Sequence, residues 1–241
     1  QALGRWCDGD WQGANAAWEQ ILLDHPTDVL AIRLAHFTHF YTGDARRMRD
    51  SAARVLPHWD TSVPGYGYIK GLYAFGLEES GDYQAAERWG REAVDDNPSD
   101  IWATHAVTHV FEMQERHDEG MAWIDALSKQ WTGMNNFIFH IWWHRALFSL
   151  EKERYDEVLT AYDTQFRATQ TEEYLDMTNA IAMLWRLESR GVDVGDRWEE
   201  LADLSEQRTR GHLLYFADAH FIMALARAGR SEAIQEMLAS L

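Results

Sequence analysis

The chain has 241 residues, 46% of them hydrophobic, with 12 Trp and only 4 Pro, enough apolar material to bury a sizeable core. Asp and Glu number 39 against 22 Lys and Arg, a net charge of -17 that argues against a nucleic-acid backbone or an anionic membrane surface as partner. The single cysteine, Cys7, excludes an internal disulfide framework and suits a reducing compartment. No apolar run approaches the roughly 20 residues of a membrane-spanning helix, and QALGRWCDGD lacks the basic and apolar regions of a signal peptide, so a cytoplasmic protein is expected. The first residue is Gln rather than Met and the last stretch is EMLASL. These residues are therefore expected to be one domain over 1–241, taken from a longer protein.

In chain order, the first helical pattern is GDWQGANAAWEQILLDHP, ending at Pro26. VLAIRLAHFTHFYTGDARRMRDSAARVLP follows, with Gly43 as the turn between two helices, and then the longer connection HWDTSVPGYG. The next stretch, GYIKGLYAFGLEESGDYQAAERWGREAVDDNP, shows the period most clearly. With Pro98 at position 32 of a 34-residue unit, Ala74 falls at 8, Leu77 at 11, Gly81 at 15, Tyr83 at 17, Ala86 at 20, Gly90 at 24 and Ala93 at 27. These are the small and apolar positions of the tetratricopeptide repeat, where two antiparallel helices approach closely and proline ends the second. Gly9, Trp11, Ala14, Trp18, Ile21 and Pro26 occupy the same register upstream, and Gly120 and Leu127 occupy it downstream. The pattern continues through FHIWWHRALFSLEKERYDE, LDMTNAIAMLWRLESRGVDVGDRW and FADAHFIMALARAGRSEA. The fold expected is all-α: about six to seven tetratricopeptide-type helix pairs stacked in a right-handed α-solenoid, with a concave face made by the first helix of each pair.

Two of the first helices carry histidines four residues apart, His105 with His109 and His140 with His144, a spacing that stacks them on one helical face. Positions 2, 5, 9 and 12 of the first helix are expected to face the concave side. They are Trp102, His105, His109 and Glu112 in one repeat and Asp176, Asn179, Met183 and Arg186 in another. With His36, His39, Trp143, Asp218 and His220 these make an aromatic-walled surface with convergent polar groups, the composition of a small-ligand or peptide site. Ligand contacts are expected from His36, His39, Trp102, His105, His109, Glu112, His140, Trp143, His144, Asn179, Arg186 and His220. The competing reading is structural: the same groups bond one another and hold neighbouring repeats in register.

Three chemistries compete for the histidines. Binding without catalysis is the first, and the acidic excess would then favour a positively charged partner. Acid/base chemistry is the second, a small-molecule hydrolase or lyase drawing on His105, His109, His140, His144, Asp176, Asp218 and His220. A divalent metal on His105, His109, His140 and His144 is the third, with Glu112, Asp176 or Asp218 completing or orienting the shell; no metal or other cofactor is assigned. Neither HExxH nor a GxSxG, Walker or Rossmann glycine pattern occurs. The pairs Glu78-Glu79, Asp95-Asp96 and Glu172-Glu173 read as solvated helix ends.

HAVTHVFEMQERHDEGMAWI, HIWWHRALFSLEKERYDEVLTAYD, AMLWRLESRGVDVGDRW and FADAHFIMAL resemble segments of the tetratricopeptide repeat protein 38 family, from about Gly9 to Gly229. The resemblance implies a cytosolic helical repeat protein, corresponding to the central and later repeats of longer members. It implies no particular biochemical activity.

Overall fold

The computed structural model describes residues 1–241, and it consists of fourteen α-helices with short 3-10 and π turns and no strand. Two compact units divide the chain. The first, Gln1–Thr132, holds α1 (Ala2–Cys7), α2 (Trp11–Asp24), α3 (Val29–Tyr41), α4 (Ala45–Val55), α5 (Tyr66–Glu79), α6 (Tyr83–Asp96), α7 (Ile101–Met113) and α8 (His117–Leu127). The second, Gly133–Leu241, holds α9 (Phe137–Glu151), α10 (Tyr155–Ala161), α11 (Tyr174–Ser189), α12 (Arg197–Glu206), α13 (Tyr215–Arg227) and α14 (Ser231–Ser240). Odd-numbered helices are the first of each pair and even-numbered helices the second. Within each unit a helix packs on its partner and on the next pair, as α5 does on α6 and α7, and α11 on α12 and α13. No helix is long and apolar enough to cross a membrane.

The turn inside each pair is set by one residue in the left-handed backbone region. Gly9, Gly43, Gly81, Gly191 and Gly229 supply it in five pairs, with φ between 70° and 82°, a region most side chains avoid. Glu115 (φ 57°) and Glu153 (φ 56°) hold the same place in the turns α7–α8 and α9–α10, where an L side chain carries a steric cost. Aspartate then starts most of the second helices of the first unit: the carboxylates of Asp10, Asp44 and Asp82 accept from the backbone N–H of Gly13, Arg47 and Ala85. Part of the acidic excess is therefore spent on capping, at the end of the helix where a negative charge is favourable.

Small residues bring the helices together. A Cβ on Gly76 would lie 2.7 Å from the Cα of Arg49, so α5 and α4 touch backbone to backbone there. Ala74, Ala86, Ala93, Ala103 and Ala106 are fully buried at neighbouring crossings. In the second unit the core is built from larger groups, including Met177, Ile181, Leu184, Trp198 and Phe221, and a π turn at Tyr162–Phe166 closes α10 by burying both of its rings.

Two substitutions test this account by denaturant unfolding. Gly76→Ala is expected to lower stability by about 1–3 kcal/mol, because overpacking against the Arg49 backbone outweighs the gain in helix propensity. Glu153→Gly is expected to raise it by about 0.5–1 kcal/mol by relieving the left-handed backbone. A stabilised Gly76→Ala would show that α4 and α5 do not approach as closely as described.

Candidate functional site

In the unit Gln1–Thr132, the first helices α3, α5 and α7 present the polar and aromatic groups. The four-residue spacing places the His105 ring 4.1 Å from that of His109, centroid to centroid, in a T-shaped contact. Phe75 of α5 stacks on His105 at 5.2 Å and also touches His109 at 5.5 Å and Trp102 at 4.8 Å. On α3, His36 meets the edge of Trp102 at 5.6 Å and Phe75 at 5.7 Å. Three helices are thus joined by one run of rings, with Phe37, Phe40 and Tyr41 extending it outward.

Charge accumulates at one end of that run. Glu78 and Glu79 close the C-terminal turn of α5, and His109 Nδ1 lies 3.3 Å from Glu78 Oε2 and 3.8 Å from Glu79 Oε1. The sequence suggested solvated helix ends here, but the Glu78 side chain is only 5% exposed, because α7 packs over it with His109. Burial opposes the charged imidazole of His109. The hydrogen bond and charge of Glu78, aided by Glu112 and Glu79, outweigh this and raise its pKa. Burial and the neighbouring charge of Glu78 push the Glu79 carboxyl upward.

His36 is fully buried with neither ring nitrogen hydrogen-bonded. Burial, helped by the charges of Arg33 and His39, drives its pKa well down, so it is a neutral core ring rather than a solvent-reachable ligand group. His39 turns away from it: Nε2 is 3.0 Å from Glu19 Oε1, and the Ser51 hydroxyl and Arg54 guanidinium meet the same carboxylate, tying α3 to α2 and α4. The guanidinium of Arg33, a position outside the expected ligand set, lies 4.0 Å above Phe37 and 4.4 Å above Trp102. Burial lowers its pKa to about 10, against the opposing charge of Asp100. Asp100 caps α7 through the N–H groups of Trp102 and Ala103, each at 3.0 Å, and burial raises its carboxyl to about 6 despite those bonds and Arg33.

In the unit Gly133–Leu241, α9 and α11 are linked by side-chain hydrogen bonds. The Asn179 amide donates to His140 Nδ1 at 2.9 Å, which leaves the His140 proton on Nε2, 3.1 Å from His144 Nε2. Trp143 stacks on His140 at 5.6 Å, and Arg186 lies 5.8 Å over Trp143 while donating to the Ala182 carbonyl. Asp176, 1% exposed, takes hydrogen bonds from Asn136 Nδ2 at 3.1 Å and from the Thr171 hydroxyl, rather than from a histidine. Asp218 faces His212 Nδ1 at 3.2 Å, and His220 instead donates Nδ1–H to the Phe216 carbonyl at 2.7 Å, with burial lowering its pKa. Two residues apart on α13, Asp218 and His220 point in different directions. His212 precedes that helix with φ 40°, so helical periodicity carried no signal for it.

Of the residues singled out in sequence, the structure therefore brings Trp102, His105, His109 and His36 together in the first unit, with Glu112 acting on His109 through its charge. His140, Trp143, His144, Asn179 and Arg186 come together in the second.

No protein-family model matches the chain. Among solved structures, a tetratricopeptide repeat protein from Parabacteroides merdae ATCC 43184 is similar over 93% of this chain and 81% of its own, with a TM-score of 0.65 and 11% identity. The likeness shows the fold: this is a tetratricopeptide-type helical repeat protein.

The buried Asp100 yields a signed pH prediction. Its folded-state pKa of about 6 lies above the ordinary 3.8, so the folded state holds the proton more tightly and stability is lost as pH rises from about 4 to about 6. Asp100→Asn keeps a good N-cap and removes the buried charge. Its unfolding free energy is expected to exceed that of the wild type at pH 7 by an amount on the order of 2–3 kcal/mol, with the difference vanishing below pH 4. A pH-independent difference between the two proteins would refute the buried charge.

Proposed function

We propose that the chain is a cytoplasmic binding module whose first-helix face in residues 1–132 takes a positively charged partner, a basic peptide or a small cationic ligand. The observation that carries the reading is the aromatic row on α3. Phe40 and Tyr41 are each 40% exposed, with rings 5.7 Å apart, and Phe40 continues inward to Phe75 and the histidines. Large exposed rings supply contact area at low entropy cost and attract cations through their faces. Residues 1–132 contain 21 Asp and Glu against 11 Lys and Arg, and such a field draws basic partners and repels nucleic acid and anionic membranes. Repeat scaffolds use this face for recognition, and the resemblance to the tetratricopeptide repeat protein 38 family supports the same reading without adding an activity. In the second unit, His140, Trp143 and Arg186 offer polar and aromatic groups for the same kind of contact.

Isothermal titration with a Lys/Arg-rich peptide and its Asp/Glu-substituted counterpart is the test. Heat is expected with the basic peptide alone, and Phe40→Ala is expected to weaken it at least tenfold, about 1.4 kcal/mol. Equal heats for both peptides, or none, would sink the reading.

A second reading, hydrolysis or elimination on a small molecule, is favoured by one arrangement: Glu78 holds His109 by a hydrogen bond, which orients an imidazole as a base does in acid/base chemistry.

A further inference from the structure

We propose that Glu78, Glu79 and His109 form a site for a divalent first-row transition ion, with the two carboxylates and His109 Nδ1 as protein ligands. Their donor atoms already lie within 4.8 Å of one another. A four-coordinate ion with metal–ligand distances near 2.0–2.1 Å separates its donors by about 3.3 Å. His109 Nδ1 is 3.3 Å from Glu78 Oε2 and 3.8 Å from Glu79 Oε1, so the set closes around an ion with side-chain adjustments of tenths of an ångström on the His109 side.

The electrostatics of the place call for a cation. Glu78 is nearly fully buried and Glu79 is its neighbour in sequence, and the only ion-pair partner of either is His109. Both sit in the last turn of α5, where the helix dipole is negative and a carboxylate is disfavoured. Glu112, one turn beyond His109 on α7, adds a third negative group. Even a protonated His109 leaves the carboxylate pair with an uncompensated negative charge, whereas one divalent ion neutralises both carboxylates and needs only a neutral imidazole. Two hard oxygens with one borderline nitrogen suit Zn2+, Mn2+, Fe2+ or Co2+ better than Ca2+ or Cu+. Three protein ligands leave at least one coordination position for water or a bound group.

The competing account is a buried Glu78–His109 ion pair with no metal. The inference stands apart from the basic-peptide reading, since the acidic excess of residues 1–132 survives the loss of two charges and the titration below contains no peptide. Untagged protein, stripped with chelator, is titrated with Zn2+ while its melting temperature is followed, and with Co2+ while its visible spectrum is followed. The expected result is one ion per chain, a melting temperature that rises with Zn2+ and a Co2+ ligand-field band. Glu79→Gln, at a partly exposed position where an isosteric change leaves the fold intact, is expected to weaken both at least tenfold, and Glu78→Gln likewise. His220→Ala is expected to change neither. No shift with either ion, full binding in Glu79→Gln and Glu78→Gln, or binding lost in His144→Ala but kept in Glu79→Gln would each overturn the assignment.

Discussion

The constraint on which the rest depends is how closely neighbouring helices approach. At Gly76 the backbone of α5 rests on the backbone of α4, and at Gly90 a Cβ would meet Val107 of α7 at 2.5 Å. No side chain fits on Gly76 or Gly90 at these crossings, so the large residues next to small ones project to another side of the helix. Phe75 follows Ala74, and Trp102 precedes Ala103. The small residue locks the crossing and its neighbour joins the run of rings linking α3, α5 and α7. Packing and candidate site are two outcomes of one steric rule.

The distribution of acid matters more than its amount. Carboxylates at Asp10, Asp28, Asp44, Asp82 and Asp100 cap helices, and others meet arginines, as Glu87 meets Arg91 and Arg116, and Glu200 meets the buried Arg167. Glu78 and Glu79 differ, because they lie at the unfavourable end of a helix, partly out of water, with an imidazole as sole counterpart. Local charge that the fold leaves uncompensated is where binding chemistry concentrates.

The second unit handles buried polarity differently. Asn136, at the start of α9, donates to Asp176, and Asn179 of α11 donates to His140, so side-chain hydrogen bonds link α9 and α11. Amide donors reaching across a core help fix the register between two helices, because slipping by a turn would leave them unpaired. The same HxxxH spacing is thus held by two kinds of partner: a carboxylate for His109 and an amide for His140.

Spacing in the chain was sufficient to specify the helix pairs. Gly81, Ala86, Gly90, Ala93 and Pro98 each answer a local demand, a left-handed turn, a close crossing or a helix stop, that only a small residue or proline meets. The same rule hid Glu115 and Glu153, since a non-glycine residue at the turn gives no signal of its backbone conformation. The face on which a helical residue lies was also legible, which is why Trp102, His105 and His109 belong together. What only the tertiary structure decided was the partner of each polar group: Glu19 for His39, His212 for Asp218, Asn136 and Thr171 for Asp176, and Glu78 for His109. Helical periodicity sets the direction of a side chain. Its protonation, burial and partner depend on residues brought alongside by another helix, as many as 40 positions away in the chain.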